Sequence, residues 1–265
     1  MAERSLPPGV AAAVRELAAA PRLLIALDFD GVLAPIVQVP SEARPLPGSA
    51  AAVRALADLP GTTVAMLSGR ALADLGAVSG FTAPVRLVGS HGGEFDDGAL
   101  VLTEEQRVLK EKLVAAVTEL VDGAPGVRLE DKPAGVVVHV RTAEPDVGGR
   151  VLDAVRTGPA TWPGVDATEG KAVLELAVVQ VSKGAAIEVL RERLGAGAVL
   201  FTGDDVTDED GFVLLRAHAP DAVTIRVTDA PAAAVDTAAE FTVRDPDAMR
   251  QLLEAIAEAR TTVAR

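Results

Sequence analysis

The sequence contains no cysteine, and only 3% of its 265 residues are aromatic. Disulfide bonds and thiolate metal sites are therefore excluded. Because hydrophobic residues still make up 49% of the chain, the core must be built mainly from alanine, valine and leucine. A chain of this length can bury a sizeable core, either as one large domain or as a core domain with a smaller insertion.

The sequence also has few positive charges and no long apolar segment. Its net charge of −13 disfavours nucleic acids and anionic membranes as partners, because both would be repelled. The first 21 residues include four charged side chains and lack the uninterrupted apolar segment of a signal peptide. No stretch approaches the roughly 20 apolar residues of a transmembrane helix. We expect a cytoplasmic protein that is a monomer or a weak homo-oligomer.

The segment D-F-D-G (residues 28–31) is the first candidate site. It follows five apolar residues, as expected for a buried parallel strand that ends in two carboxylates and a glycine turn. Ligands of open α/β sheets bind at the carboxyl ends of strands, and two acids this close together favour a bound cation. One such acid alone could be an ordinary turn residue, but the two together favour a catalytic site.

Three later strands are predicted to end in polar groups as well. Residues 62–70 run into Ser68-Gly69-Arg70, residues 85–94 end in H-G-G-E, and residues 198–205 end in two aspartates. A hairpin turn is predicted at D-D-G (96–98). The alternation of strands and helices in this part of the chain indicates an α/β fold with a parallel sheet.

From about residue 104 the pattern changes to an α+β arrangement. A helix is predicted over 104–121, and the alternation in 134–141 places His139 and Arg141 on one face of a strand. Further elements are a helix over 145–157 and strands near 165–168 and 173–179. We predict that residues 105–181 form an inserted α+β cap domain and that residues 1–104 and 182–265 form the catalytic core.

Two helix starts after the insertion carry charged residues. Lys183 begins a helix that ends at Leu194, where the helix dipole opposes a cation and therefore suggests an anion nearby. Thr207 is predicted to cap the next helix, with Asp208 and Glu209 in its first turn. This acidic segment could serve only to cap the helix, although Asp208 is also a possible metal ligand.

These motifs resemble those of the haloacid dehalogenase (HAD) phosphatases, with a cap domain inserted between the second and third motifs. The resemblance rests on D-x-D-G-V-L-A-P, L-S-G-R, S-K-G and G-D-D-V-T-D-E-D. It implies that Asp28 is a nucleophile that takes up a phosphoryl group. Asp30 would then protonate the leaving oxygen and deprotonate the attacking water, for which neighbouring acids would raise its pKa.

Phosphate monoesters hydrolyse so slowly that their enzymes supply accelerations of up to ~10²¹-fold. The reaction therefore also needs a metal and a phosphate clamp. Mg²⁺ fits a site made of oxygen ligands, and we predict the ligands Asp28, Asp30 (through its main-chain carbonyl), Asp204 and Asp205. Ser68, Gly69 and Lys183 are the candidate phosphate-binding residues. Ser68 alone would be equally consistent with a strand-end turn.

The longer motifs G-x-H-G-x-E, E-D-K, V-H-V-R and V-L-E-L resemble those of trehalose-6-phosphate phosphatases in particular. This resemblance implies a sugar-binding pocket built from the predicted cap and core domains. The implied cap residues are Glu130, Lys132, His139, Arg141 and Glu175, and the implied core residues are Arg70, His91 and Glu94. Viewed alone, the charged residues near 130 could belong to an ordinary hairpin.

The expected function is Mg²⁺-dependent hydrolysis of trehalose 6-phosphate through an aspartyl-phosphate. Three alternatives stay open at this point. The substrate could be another sugar phosphate or pseudo-disaccharide phosphate, the protein could bind a phosphosugar without turnover, or it could be a phosphomutase.

Overall fold

The computed structural model describes residues 8–98, 102–179, 181–219, 221–230 and 235–263. The chain divides into two compact units: Met1–Asp97 with Ser182–Arg265, and Gly98–Val181. None of the described helices is long and apolar enough to cross a membrane.

Both units contain helices and strands, numbered here in chain order. The strands are β1 (Leu23–Asp28), β2 (Thr62–Leu67), β3 (Arg86–Gly89), β4 (Glu94–Phe95), β5 (Arg128–Lys132), β6 (Gly135–His139), β7 (Asp166–Gly170), β8 (Val173–Ala177), β9 (Ala198–Gly203), β10 (Val223–Val227) and β11 (Phe241–Val243). The α-helices are α1 (Pro8–Ala19), α2 (Pro47–Ala57), α3 (Leu72–Ser79), α4 (Glu104–Val121), α5 (Pro145–Thr157), α6 (Lys183–Leu194), α7 (Val206–His218) and α8 (Pro246–Val263).

The first unit is built on a sheet with the strand order β11-β10-β9-β1-β2-β3-β4. All neighbours are parallel except β3 and β4. The predicted α/β fold with a parallel sheet is confirmed. All six residues of β1 are buried, because both faces of this central strand are covered, and this explains its continuous apolar run. Its carboxyl end lies beside those of β2 and β9.

The second unit is a four-stranded antiparallel sheet in the order β5-β6-β8-β7. Alternate residues of β6 and β8, including Val136, Val138 and Leu174, pack with residues of α4 and α5 in one hydrophobic core. The other face of the sheet carries polar side chains, as the period of two requires.

Two local predictions were wrong, and a third stays a prediction. Residues 96 and 97 form a turn, but the strand that would follow a hairpin turn at 96–98 falls on residues 99–101, which lie outside the described residues. Strands β3 and β4 form an antiparallel hairpin of their own through residues 90–93. Strand β6 ends at His139, so Arg141 lies in the turn that follows and does not alternate with it. The N-cap of α7 is Asp205 and not Thr207.

Candidate active site

The candidate site lies where β1, β2 and β9 end. A cavity of about 580 Å³ opens there. The strand ends are adjacent because β1 pairs in parallel with both neighbours, so side chains distant in sequence meet at one edge of the sheet. The predicted site residues that line the cavity are Asp28, Asp30, Ser68, Gly69, Arg70, His91, Lys183, Asp204 and Asp205.

Three carboxylates converge at this edge. Asp28, Asp204 and Asp208 each offer an oxygen atom, and these oxygens lie within 4.8 Å of one another. Asp28 is 5% exposed and Asp208 is fully buried at 0%. So many buried acids in one place require cations, because an unpaired buried charge is strongly unfavourable.

Lys183 is the cation that the structure places against these acids. Its Nζ donates hydrogen bonds to Asp28 Oδ1 at 2.8 Å and to Asp208 Oδ1 at 2.7 Å, and the side chain is only 3% exposed. It is the first residue of α6, which is capped by the side chain of Ser182. Here the anions expected beside Lys183 are carboxylates.

The pKa values reflect this mixture of burial and charge. Burial raises the pKa of Asp28 well above 3.8, although Lys183 opposes the effect. Burial also raises the pKa of Asp204. Burial would lower the pKa of Lys183, but the charges of Asp28 and Asp208 outweigh it, so that the pKa is raised and the side chain stays protonated. One ammonium thus faces three carboxylates.

This donor set fits a divalent cation such as Mg²⁺. The three carboxylates carry an excess of negative charge over Lys183, and Mg²⁺ prefers a few hard oxygen ligands completed by water and substrate phosphate. Asp205 is exposed and lies outside the cluster: its Oδ1 accepts a hydrogen bond from the Val206 N–H at 2.6 Å. Its predicted role as a metal ligand thus lacks the geometric support that Asp204 and Asp208 have.

Asp208 also shapes the loop that carries the other acids. Its Oδ2 accepts hydrogen bonds from the N–H groups of Asp204 and Asp205, both at 3.0 Å. Its other oxygen is held by Lys183. From the sequence, Asp208 could be either a capping residue or a metal ligand. An acidic helix start does not indicate that the side chain of Asp208 points into the protein, where it is fully buried.

Asp30 is held by Arg70. The guanidinium donates two hydrogen bonds to the carboxylate, at 2.7 and 2.8 Å, and further bonds to Asp74 and to the Pro40 carbonyl. The hydrogen bond to Asp30 is the main reason that the pKa of Arg70 is raised. The nearest partner of Asp30 is therefore a cation, whereas its acidic neighbours were expected to dominate.

The second unit brings four of its predicted sugar-binding residues onto one sheet face. Glu130 pairs with Val137, which pairs in turn with Glu175. Two polar pairs lie across this face: His139 Nε2 is 2.7 Å from Glu130 Oε2, and Lys132 Nζ donates to Glu175 Oε1 at 3.2 Å. Arg141 lies exposed beyond the end of β6.

The family model for trehalose-phosphatase matches residues 26–247 of this chain. The chain belongs to the trehalose-phosphatase family. The predicted membership of this family is confirmed, and the matched region includes every residue of the acidic cluster.

Two relatives agree with this family assignment. The chain is 36% identical to a trehalose-phosphate phosphatase of Mycolicibacterium paratuberculosis, covering 87% of this chain and 61% of that protein. It is 30% identical to the probable trehalose-phosphate phosphatase 9 of Oryza sativa subsp. japonica, covering 88% and 69%. This trehalose-phosphatase family member thus spans about three fifths of the length of the mycobacterial relative.

The fold is shared with the trehalose-6-phosphate phosphatase of Aspergillus fumigatus. That structure matches with a TM-score of 0.66 at 23% identity, covering 94% of this chain and 97% of the other. A structure of a trehalose-6-phosphate phosphatase related protein matches with a TM-score of 0.60 at 25% identity, covering 91% and 99%. The match to these structures extends over both compact units of the family member described here.

Proposed function

We propose that this protein is a Mg²⁺-dependent phosphatase that hydrolyses trehalose 6-phosphate to trehalose and inorganic phosphate. The observation that carries the proposal is the convergence of Asp28, Asp204 and Asp208 beside Lys183, next to a cavity that Asp28, Asp204 and Lys183 line. Family membership supplies the sugar phosphate as the substrate class, and the names of the relatives support trehalose 6-phosphate in particular.

In this proposal Asp28 is the nucleophile. A carboxylate oxygen of Asp28 attacks phosphorus, the bond to the sugar oxygen breaks, and an aspartyl-phosphate forms. Lys183 orients Asp28 through the 2.8 Å hydrogen bond and offsets negative charge. Asp28, Asp204 and Asp208 would hold Mg²⁺, with the Asp30 carbonyl as a further candidate ligand. The bound ion would neutralise charge on the phosphoryl oxygens.

Asp30 serves as the general acid and base. It lies two residues after the nucleophile and lines the same cavity, and Arg70 fixes its orientation. It gives a proton to the departing sugar oxygen and later takes one from the water that hydrolyses the aspartyl-phosphate. Ser68 and Gly69 line the cavity beside Lys183 and complete the proposed phosphate site.

The second unit is proposed to act as the cap domain that recognises the sugar. Its polar sheet face offers Glu130, Lys132, His139 and Glu175, whose carboxylates and cation suit the hydroxyl groups of a disaccharide. Arg141, His91 and Arg70 are proposed to contribute further contacts. The predicted cytoplasmic location and oligomeric state stay predictions.

A substrate panel run with and without EDTA tests this function. We expect trehalose 6-phosphate to give the highest kcat/KM, with sucrose 6-phosphate and glucose 6-phosphate well below it, and EDTA to abolish phosphate release. Asp28→Asn should lose almost all activity while remaining folded. A stronger preference for another sugar phosphate would replace the proposed substrate, and full activity of Asp28→Asn would exclude the proposed nucleophile.

A further inference from the structure

The carboxylate of Glu94 is occupied by two hydrogen bonds within the first unit. One oxygen accepts from the Ser90 hydroxyl, and the other accepts from the Leu72 N–H at 3.2 Å. Among the described residues, those that line the candidate cavity include Arg70 and His91 but not Glu94. The side chain is therefore engaged with its own fold, whereas the family resemblance assigns it to sugar binding.

The contact with Leu72 supplies a helix cap from another element. Leu72 is the first residue of α3, and its N-cap, Ala71, has no side-chain acceptor. The first N–H groups of a helix have no partner within the helix, and a negative charge is favourable there. Glu94 of β4 provides both the acceptor and the charge, so it fixes the start of the helix that follows the 68–71 loop.

Main-chain hydrogen bonds hold the same loop from the same side. The Ser90 N–H donates to the Arg70 carbonyl at 2.7 Å, and the His91 N–H donates to the Ser68 carbonyl at 2.9 Å. Gly89 permits this approach, since a Cβ atom there would lie 2.5 Å from the Leu72 nitrogen. Segment 89–94 therefore holds the loop that carries Ser68, Gly69 and Arg70 through hydrogen bonds near both of its ends.

Ser90 and His91 have the unusual φ values of 49° and 54°. Non-glycine residues rarely adopt such angles, and they persist only where the surroundings hold them. The hydrogen bond from the Ser90 hydroxyl to Glu94 is one such restraint. Loss of the Glu94 carboxylate would therefore remove two hydrogen bonds, one at the start of α3 and one at the turn at 90–91.

We infer that Glu94 is a positioning residue for the phosphate site and not a sugar ligand. It acts by holding the 68–71 loop in the shape that presents Ser68 and Gly69 to a phosphoryl group. The inference rests on the proposed function, because it assigns this loop to phosphate. The inference predicts that loss of the Glu94 carboxylate weakens the binding of every phosphate ligand, whether or not the ligand carries a disaccharide.

The experiment compares Glu94→Ala and Glu94→Gln with the wild type on three probes in the presence of Mg²⁺. The probes are the Kd of inorganic phosphate by calorimetry, and the kinetics of para-nitrophenyl phosphate and of trehalose 6-phosphate. Glu94→Ala should weaken phosphate binding by roughly tenfold or more, the scale of one lost charge-assisted hydrogen bond. It should lower kcat/KM for both esters by similar factors.

Glu94→Gln is the informative rescue variant. Its amide oxygen can still accept from the Leu72 N–H, and its amide nitrogen can donate to the Ser90 hydroxyl. The Kd of phosphate and kcat/KM for both esters should therefore stay within about threefold of the wild type. Glu192→Ala, which removes an exposed acid of α6, is the matched control and should change none of them. If Glu94→Ala does not fold, Ser90→Ala takes its place: it removes only the hydrogen bond from the Ser90 hydroxyl to Glu94, and it should weaken phosphate binding and lower kcat/KM for both esters by similar factors, whereas unchanged phosphate binding would overturn the inference.

The inference is overturned if either variant affects trehalose 6-phosphate alone and leaves phosphate binding unchanged, because that is the result for a sugar ligand. Failure of the wild type to hydrolyse trehalose 6-phosphate would instead count against the proposed function. In that case the comparison of phosphate affinities still decides the role of Glu94.

Discussion

At the scale of single residues, Gly31 shows how closely the backbone approaches the acidic cluster. Its φ is +75°, and a Cβ atom at this position would lie 1.9 Å from Asp204 Oδ2. A side chain here would be strained and would also displace a proposed metal ligand. The glycine after D-x-D is thus required because Asp204, more than 170 residues later in the chain, packs against its Cα atom.

We expect Gly31→Ala to lower kcat by about 100-fold, because displacing a reacting group or ligand by about 1 Å has an effect of that size. Gly80→Ala is the matched control: Gly80 also has a positive φ, of +62°, but no atom lies within 4 Å of the added methyl group. Both variants should lose about 1–2 kcal/mol of unfolding free energy, and only Gly31→Ala should lose activity. Equal activity of the two variants would contradict this prediction.

Arg260 has a structural role far from the cavity. It is buried, and its guanidinium donates to the carbonyls of Leu17 and Ala20 at the end of α1 and to Thr62 Oγ1 at the start of β2. Burial lowers the pKa of Arg260. Arg260→Met would leave several buried carbonyls without a donor, which costs about 2–4 kcal/mol of unfolding free energy.

Urea denaturation should detect that loss, while kcat of the folded enzyme should stay unchanged. Arg244→Met is the control, because the Arg244 side chain is 80% exposed, and it should be as stable as the wild type. A fall in kcat without a fall in stability would show that Arg260 acts on the site and not on the fold.

The sequence predicts the residues whose position follows from strand order. Asp28 and Lys183 meet because they lie at the end of β1 and the start of α6, and both places could be located from an apolar run and a serine cap. The division of labour among Asp204, Asp205 and Asp208 could not be predicted. Their roles depend on which carboxylate points toward the sheet. All three acids lie at the start of one helix, so the sequence pattern does not distinguish them.

At the scale of elements, predictions succeeded where a boundary has a chemical signal. The helix over 183–194 has the predicted bounds, because Ser182 begins the helix and Gly195 ends it. Strand β9 ends at Gly203, directly before the two aspartates that were predicted to follow it. The hairpin of β3 and β4 was not predicted, because β4 has only two residues, too few to show a period of two. Segment 89–94 therefore looked like a strand end followed by loop residues.

The start of α7 gives a test of the two neighbouring aspartates. Asp205 is the N-cap, and it forms a capping box with Asp208. We expect Asp205→Ala to lower the unfolding free energy by about 1 kcal/mol through loss of the cap. The Mg²⁺ concentration for half-maximal activity should stay within about twofold, since exposed contacts of this kind have small effects.

Asp204→Asn is the matched comparison, because it removes the charge that points into the cluster. It should raise the required Mg²⁺ concentration by about tenfold or more, the effect expected from one weakened ligand. Titrations of activity against Mg²⁺ for the two variants provide the measurement. A larger Mg²⁺ requirement in Asp205→Ala than in Asp204→Asn would restore the original prediction that Asp205 binds the metal directly.

At the scale of the whole molecule, the net charge of −13 raises the question of how an anionic substrate is bound. The described site provides positive charge close to the place where the substrate would bind. Lys183 and Arg70 line the cavity, and a divalent cation on the three carboxylates would, together with Lys183, neutralise their negative charge at the point where phosphate must lie. Without such an ion, the cluster repels phosphate. The same ion should therefore control both substrate binding and stability.

This link between metal binding and stability can be measured through its pH dependence. Because burial raises the pKa of Asp28 and Asp204 above 3.8, the metal-free folded protein keeps protons that the unfolded chain releases. Its unfolding free energy therefore falls as the pH rises above that value. Mg²⁺ binds the deprotonated carboxylates, so the stabilisation it provides should grow as the pH rises.

Thermal unfolding with saturating Mg²⁺ and with EDTA, at about pH 5 and about pH 8, tests this prediction. At a Mg²⁺ concentration of about 100 times its Kd we expect a gain of about 2.7 kcal/mol, which corresponds to a rise in Tm of about 5–10 °C for a chain of this size. The gain should be smaller at the lower pH, where protons compete for the same oxygens. Asp204→Asn, whose Mg²⁺ affinity is expected to fall by about tenfold or more, should show at most about half of the wild-type gain at the same Mg²⁺ concentration. An equal gain in wild type and variant would mean that the ion binds elsewhere, and the convergence of acids at the end of β1 would then need another explanation.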